Sequence, residues 1–548
     1  MYYVLSFVLF ILVLSFIVLG LRYHTHMLQL SSYQFQGYFR HLRTDAVRTI
    51  AHLAFIVCVI LTFSWDIFNR GTALIAMFGA IIIFIALWAS YLPKKAKKKF
   101  VITARVKRLF VTYAVLLALL YVIPKLASLG ATHDETDMRS ANALLFTAFG
   151  VLGFIGLLPL VPALANLINK PIEKSISNWY INDAKRMLRE HPGLRILGVT
   201  GSYGKTSVKY YLTTLLAEKY SVLMTPESYN TPMGIVRTIR EHLKPTHQIF
   251  VCEMGARHLH DIKEITDIVH PDDGIVTSIG YQHLETFHSL ENIISTKYEL
   301  LDAVDEKQKT NGKVDGQNLK FVNGDNEIIR DNMKYKDAIT YGTVEGCDYR
   351  ATDIKVSGGG TTFTVTAPNG ESEEFSTRLV GKHNVENIVG AIAVANSFGV
   401  PLNKLKMAVR RLQSVPHRLE LVKHGNVSIL DDAYNSNPNG AKVALETLAL
   451  FENEVKILVT PGMVELGEKE NELNEEFGRQ AAAVCDYIIL VGEKNSPSIK
   501  KGVLEAGFDP EKVFVKSTLN EATALMYEID AGREKVILLE NDLPDNYK

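Results

Sequence analysis

A stretch in the middle of the chain, Gly198-Val199-Thr200-Gly201-Ser202-Tyr203-Gly204-Lys205-Thr206-Ser207, combines glycines with hydroxyls and one lysine. An apolar run, Leu194 to Val199, leads into it, and Val208, Tyr211, Leu212, Leu215 and Leu216 lead out at helical spacing. That is the strand, loop, helix context of a phosphate-cradling loop. Gly201 and Gly204, with Ser202 and Ser207 beside them, let backbone N–H groups turn inward on a polyphosphate. Lys205 supplies positive charge and Thr206 a hydroxyl for Mg²⁺. A general nucleotide loop carries its first glycine at position 199, which is valine here. From this stretch alone, a glycine-rich strand-to-helix turn therefore stays open as the plainer reading.

Other residues invite chemistry less directly. Glu253 ends the apolar run Ile249 to Cys252, where a carboxylate can reach a metal held at the loop or simply face solvent. His283 follows another strand end, in Ile279-Gly280-Tyr281-Gln282-His283-Leu284-Glu285, and alone is an ordinary loop histidine. Lys297 and Glu299 read by themselves as charges on a helix face.

The elements that must position these groups follow from composition and pattern. A chain of 548 residues is too long for one core, so several structural units are expected. The 59 basic and 59 acidic residues balance, which leaves no whole-chain case for nucleic acid. Cys58, Cys252, Cys347 and Cys485 are scattered, without metal-ligand spacing, as suits a reduced cytosolic setting for the later half. From Leu194 on, apolar strands at 248–253 and 273–279 alternate with helical patterns, one running from Leu290 to Val304. This predicts a parallel α/β sheet with its chemistry at strand ends. Residues 305–320 read as a solvated insertion, and 339–380 as β-rich with a hairpin turn at Gly358-Gly359-Gly360. A helix from Val385 to Phe398 closes at Gly399. A second α/β section begins near 418, with strands at 427–431, 455–460, 486–491 and 535–539.

The first half is different. Residues 2–21 carry no charge, and further apolar runs lie near 50–68, 72–92, 108–129 and 141–165, interrupted at Pro124, Pro159 and Pro162. These predict five membrane-spanning helices, the first uncleaved because it lacks a basic start and a small-residue cleavage site. Arg22, Arg40, Arg43 and Arg48 in one connection, and Lys94, Lys95, Lys97, Lys98, Lys99, Arg105, Lys107 and Arg108 in another, belong on the cytoplasmic side. The alternate connections hold Arg70, then Asp134, Glu135 and Asp137. The N-terminus is thus expected outside and the later half in the cytoplasm, with the 93–108 loop open to anionic headgroups. The expected organisation is a membrane region at 1–165, a helical connector at 166–193, an ATP-binding α/β domain at 194–412 and a Rossmann-like α/β domain at 413–548.

In this order and spacing, Thr200-Gly201-Ser202-Tyr203-Gly204-Lys205-Thr206, Glu253-Met254-Gly255-Ala256, His283-Leu284-Glu285 and Lys297-Tyr298-Glu299 resemble the central P-loop ATPase domain of the Mur ligase family. These are ATP-dependent amide ligases of peptidoglycan precursor synthesis. The spacing Gly198-x-x-Gly201-x-x-Gly204-Lys205-Thr206 is the family's own. Asn323-Gly324-Asp325, Gly381-Lys382-His383-Asn384 and Arg418 in His417-Arg418-Leu419-Glu420 extend the resemblance. Asp431-Asp432-Ala433-Tyr434-Asn435-Ser436-Asn437-Pro438 and Gly462-Met463-Val464-Glu465-Leu466-Gly467 are similar to the branch that adds D-alanyl-D-alanine to UDP-muramoyl-tripeptide.

The resemblance implies ATP and two Mg²⁺ ions as cofactors. A muramoyl peptide and an amino acid or D-dipeptide would be substrates, in a bacterial plasma-membrane protein working beside other cell-wall synthesis proteins. By resemblance, Lys205 and Arg418 neutralise the transferring phosphoryl group, Thr206 and Glu253 serve one metal, and His283 the other. Lys297 matches a lysine that is carbamylated to become a metal ligand, Asn323 would hold the adenine and Asp432 the ribose. Two departures bear on the substrate. A membrane region stands where the branch carries a domain gripping the UDP sugar, which suggests a lipid-linked acceptor. Glu540-Asn541-Asp542 stands where the branch carries Lys-Gly-Ser, which suggests a different amine. The other readings are an amidating ligase fed ammonia by a partner, a silent ATP-binding scaffold and a transport ATPase.

Overall fold

The computed structural model describes residues 2–63, 70–92, 99–127, 147–311, 318–357, 360–433, 436–529 and 532–542. They fall into two compact units, Met1–Asn178 and Trp179–Leu543. The acidic connection at 134–137, most of the basic one at 93–98, and Gly358-Gly359 of the expected hairpin turn lie outside the described residues.

The first unit is helical: α1 (Tyr2–Leu30), α2 (Phe35–Thr44), α3 (Ala46–Phe63), α4 (Arg70–Ser90), α5 (Ala104–Ala127), α6 (Thr147–Gly156) and α7 (Val161–Arg189) as far as Asn178, the rest of α7 belonging to the second unit. Its core includes Phe16, Leu28, Tyr38, Leu109, Ile155 and Leu158. The outward faces are apolar as well: Ile50, Leu53, Val57 and Ile60 on α3, and Ile75, Phe78, Ile82 and Ile85 on α4, are exposed. Helices apolar all round suit a core or a bilayer. Among the described residues one helix, Ile11–Leu30, is long and apolar enough to cross a membrane, or up to three if each sharply bent pair forms one span. The bend between α6 and α7 is 95°. His52 Nδ1 meets the Ile155 carbonyl at 2.9 Å, and the Tyr38 hydroxyl donates to the Pro159 carbonyl at 2.6 Å. Both contacts satisfy backbone acceptors next to the break. α5 continues through Pro124, and α7 runs without interruption through the boundary expected at 165.

In the second unit a mixed sheet is built from β1 (Arg195–Thr200), β2 (Val222–Met224), β3 (Ile249–Glu253), β4 (Asp273–Val276), β5 (Lys320–Asn323), β6 (Ile339–Gly342), β7 (Tyr349–Ser357), β8 (Gly360–Thr366) and β9 (Ser372–Thr377). Its order is β2-β3-β1-β4-β5-β6-β7-β8-β9, with parallel pairing up to β7 and antiparallel pairing beyond. Alternation sends Leu197, Val199 and Val251 to one face, against α8 (Lys205–Leu216) and the helix Lys382–Ser397. Ile196, Phe250 and Cys252 go to the other, against the helices Pro232–His242, Asp261–Val269 and Leu290–Asn311. The last of these extends into what the sequence marks as a solvated insertion, whose residues 312–317 lie outside the described ones.

A second sheet follows, from β10 (Glu420–His424), β11 (Val427–Asp432), β12 (Val455–Thr460), β13 (Tyr487–Val491), β14 (Val513–Lys516) and β15 (Lys535–Glu540). Its order is β10-β11-β15-β12-β13-β14, and only β10 runs antiparallel. β2, β5, β10 and β14 are strands the pattern did not predict. β2 spans only three residues and β10 is partly exposed to exposed throughout, so neither shows a readable alternation.

Candidate active site

β1 ends in the glycine loop. Gly201 has φ 153° and Gly204 φ 79°, and a Cβ at Gly201 would lie 2.1 Å from Thr277 Oγ1. Both positions therefore need glycine. Ser202 is buried and pins the loop to the segment after β4: its hydroxyl and the Gly280 backbone exchange hydrogen bonds, each 3.0 Å. The Tyr203 N–H donates to Ser278 Oγ at 2.8 Å. The N–H groups of Gly204, Lys205, Thr206 and Ser207, at the start of α8, make no backbone hydrogen bond among the described residues. Such an unmet helix start suits a phosphate. Ser207 is bonded to the Tyr211 hydroxyl, which in turn donates to Asn384 Oδ1 at 2.8 Å.

Lys205 folds back over the loop and donates to the Gly201 carbonyl at 2.5 Å and the Ser202 carbonyl at 3.2 Å. Burial pushes its ammonium down to about 8, with Glu253 opposing the shift and Arg418 adding to it. Beside it, Glu253 is 1 % exposed at the end of β3. Its Oε1 accepts from Thr206 Oγ1 at 3.1 Å and from Asn230 Nδ2 at 3.0 Å. Its Oε2 lies 3.0 Å from the Lys209 ammonium and has no hydrogen-bond partner among the described residues. That buried, under-coordinated oxygen next to a threonine hydroxyl fits a Mg²⁺ ligand pair. Lys209 is itself fully buried and also donates to the Glu227 carbonyl. Neither Lys209 nor Asn230 was singled out by sequence. The available signal was that Lys209 sits one helical turn after Lys205, hence on the loop's side of α8.

Lys297 is buried on the helix Leu290–Asn311, and burial together with the charge of Lys205 holds its ammonium far below the ordinary lysine range. A neutral amine of that kind can add CO₂, so the site fits a carbamate. His283, in the left-handed region at φ 52°, feels the charge of Lys297, but its Nδ1 is engaged by Glu465. Burial lowers the His283 pKa, and Glu465 opposes that shift. Glu465 is left-handed too, at φ 64°, and its carbonyl accepts from the Glu285 N–H at 3.2 Å. The pair joins the two sheets' domains at the site. Among the described residues no group of three or more His, Cys, Asp or Glu side chains could hold a metal by itself. Any ion here needs hydroxyl, carbamate or phosphate oxygens in addition.

Arg418 lies between His417 and Leu419, both left-handed at φ 58° and 49°, and its charge reaches both Lys205 and Asp432. Asp432 ends β11 and accepts from the Leu419 N–H at 3.2 Å. It meets Glu540, the fully buried end of the neighbouring β15, carboxyl to carboxyl. Burial pushes Asp432 up to about 7 and, with Asp432 alongside, Glu540 well above the ordinary range, so the pair retains a proton at neutral pH. Asn323 donates to the Thr277 carbonyl at 3.0 Å and bonds Glu386, whose carboxyl burial pushes up to about 7. Tyr434 and Asn435 of the discriminating motif lie outside the described residues.

Comparison with known proteins follows the same division. Residues 199–395 match the Mur ligase middle domain, and residues 417–540 the Mur ligase glutamate ligase domain. The chain is 33 % identical over 297 residues to a UDP-N-acetylmuramoyl-tripeptide--D-alanyl-D-alanine ligase of Bacillus subtilis, covering 54 % of this chain and 62 % of that protein. It is 28 % identical over 347 residues to the Escherichia coli protein of the same name, covering 60 % and 73 %. MurF ligase from Thermotoga maritima in complex with ADP is similar in structure, with a TM-score of 0.58 and 26 % identity over 67 % of this chain and 80 % of that one.

Proposed function

Since this chain belongs to the Mur ligase family, we propose that it is an ATP-dependent, ADP-forming amide ligase that joins an amine to the carboxylate of a muramoyl peptide. D-alanyl-D-alanine addition to a muramoyl-tripeptide is the reaction its named relatives support. The observation that carries the proposal is the meeting of Lys205, Thr206 and Glu253 with the free N–H groups of Gly204 to Ser207.

In this reading the loop N–H groups and Lys205 hold the polyphosphate of ATP. Lys205 gives up its two loop carbonyls to a phosphate oxygen, and Arg418 approaches the same charge from the second domain. Mg²⁺, when bound, screens the repulsion between the substrate carboxylate and the γ-phosphate. Thr206 and Glu253 would hold one ion, and His283 with a carbamylated Lys297 a second. The carboxylate takes the γ-phosphoryl group, releasing ADP; the amine then attacks the acyl phosphate, loses a proton and expels phosphate. Glu465, by gripping His283, couples approach of the second domain to assembly of the site.

The first unit anchors the enzyme in the bacterial plasma membrane, with the catalytic unit in the cytoplasm, and the acceptor is lipid-linked. The apolar outer faces of α3 and α4 support this placement. Purified full-length protein should release phosphate from ATP only when acceptor and amine are both present. The screen crosses UDP-linked and lipid-linked muramoyl peptides with amino acids, D-dipeptides and ammonia. Absence of acceptor-dependent ADP formation in every combination would overturn the proposal.

A further inference from the structure

Outside the catalytic unit, one place in the helical unit concentrates donors that have no acceptor. Arg105 and Arg108 lie one turn apart at the start of α5, facing Asn166, Asn169 and Glu173 on α7. Arg105 Nη2 donates to Asn166 Oδ1 at 3.0 Å, and Asn166 Nδ2 to the Tyr33 carbonyl at 3.1 Å. The Arg105 guanidinium sits 3.8 Å over the Tyr33 ring. Arg108 binds Glu173 through two hydrogen bonds, of 2.6 and 2.8 Å. Thr112, further along the same face of α5, donates to Asn169 Oδ1 at 3.0 Å and so turns the amide nitrogen away from itself.

Among the described residues, three buried polar atoms of this cluster then lack a partner: the Tyr33 hydroxyl, Arg105 Nε and Asn169 Nδ2. Asn169 is only 5 % exposed. The nearest carboxylate oxygen to Arg105 Nε, Glu173 Oε2, is 4.0 Å away, beyond hydrogen-bond range. Buried donors are costly when unmet. A guanidinium N–H of Arg105, an amide N–H of Asn169 and a phenol hydroxyl left unmet together call for an anion rich in acceptor oxygens. The arginine side chains remain 33 % and 31 % exposed, which leaves a way in.

The surroundings narrow the anion's nature. On α7, Leu164, Leu167, Ile168 and Ile172 form an exposed apolar stripe at helical spacing, on the same turns as Asn166 and Asn169. On the other side, Val101 and Ile102 before α5 and Val111 on it are exposed as well. A free phosphate uses the donors and ignores the stripe; a phosphate carrying a hydrocarbon tail uses both. We propose that Tyr33, Arg105 and Asn169 form a headgroup site for a phosphate-bearing lipid whose chain lies along Leu164, Leu167, Ile168 and Ile172. The proposal deepens the membrane-anchored reading above and rests on it, since such a site would hold a lipid-linked acceptor by its phosphate.

The test uses full-length protein in a phosphate-free non-ionic detergent and measures retention of phosphatidic acid, of the matching neutral diacylglycerol and of inorganic phosphate. Phosphatidic acid should be retained, and the other two should not. Asn169→Leu and Arg105→Gln should each weaken retention about tenfold, the effect of one lost charge-assisted hydrogen bond. Equal retention of diacylglycerol, preference for inorganic phosphate, or unchanged retention by both variants would overturn the site. Acceptor-dependent ADP formation on a water-soluble muramoyl peptide is read in parallel. If the variants keep that turnover, their weakened retention reports the lipid site and not misfolding. If wild-type protein shows no acceptor-dependent ADP formation on water-soluble or lipid-linked muramoyl peptide yet retains the lipid, the ligase reading fails and the site stands.

Discussion

The two sheets of the catalytic unit end in opposite chemistry. Where β1 and β3 stop, a cation, a hydroxyl and a row of unmet N–H groups surround one carboxylate, Glu253, already claimed by Thr206, Asn230 and Lys209. Where β11 and β15 stop, two carboxyls, Asp432 and Glu540, press on each other with Arg418 as the nearby cation. Both sites lie at the C-terminal ends of parallel strands, where α/β folds place ligands. The difference lies in which side supplies the charge: the first site gathers N–H donors and an ammonium, and the second gathers carboxyls that burial keeps protonated further up the pH scale.

Lys205→Ala should break the contrast most severely. Removing the only loop ammonium is expected to lower acceptor-dependent ADP formation about a hundred- to a thousand-fold, measured by coupled assay, with melting temperature nearly unchanged. Next comes Lys209→Met, which leaves Glu253 buried beside an apolar chain. A loss of about 3–5 kcal/mol in denaturant unfolding is expected, and a far smaller loss would mean the pair is not intact in solution.

The third test concerns pH. Because burial depresses Lys205 to about 8, the free enzyme loses that charge as pH rises through this value, while bound phosphate favours the protonated form. ADP affinity should therefore fall by up to about tenfold per pH unit above that point, with proton uptake on binding visible by calorimetry in buffers of different ionisation enthalpy. Pairwise dissection of the two effects would use Lys205→Arg, whose charge does not titrate in this range.

The smallest effect belongs to the carboxyl pair. Asp432 and Glu540 have raised values in the folded state, so the stability they contribute is fully present below the ordinary carboxylate range. It is lost as pH rises through about 7. Glu540→Gln keeps the shape and removes one titration, so its melting temperature should match wild type near about pH 5 and exceed it by a few degrees near about pH 8. A variant that tracks wild type at both values would show that the pair ionises freely.

The central site was legible wherever its residues are contiguous or end a strand. The glycine loop, Glu253, Lys297 and Arg418 stand in short segments whose spacing alone aligns them with a known ligase family. Lys209 was not legible, because a lysine on an apolar helix edge reads as a solvated charge until β3 brings Glu253 against it. Asn230 lies in a loop with no periodicity. Glu465 and Glu540 were visible as letters of motifs, but their partners, His283 and Asp432, are far away in sequence.

What the sequence by itself determined is local: an apolar first half, a phosphate-loop strand and helix, and the order of α and β segments. Each rests on hydrophobic period, glycine freedom or net charge over a few neighbouring residues. What only the tertiary structure decided is which charges lose water together. It buried Lys297 in the field of Lys205, set Asp432 on Glu540, and left Tyr33, Arg105 and Asn169 with donors unmet among the described residues. Desolvation depends on what packs around a group from every side, and no single segment carries that information.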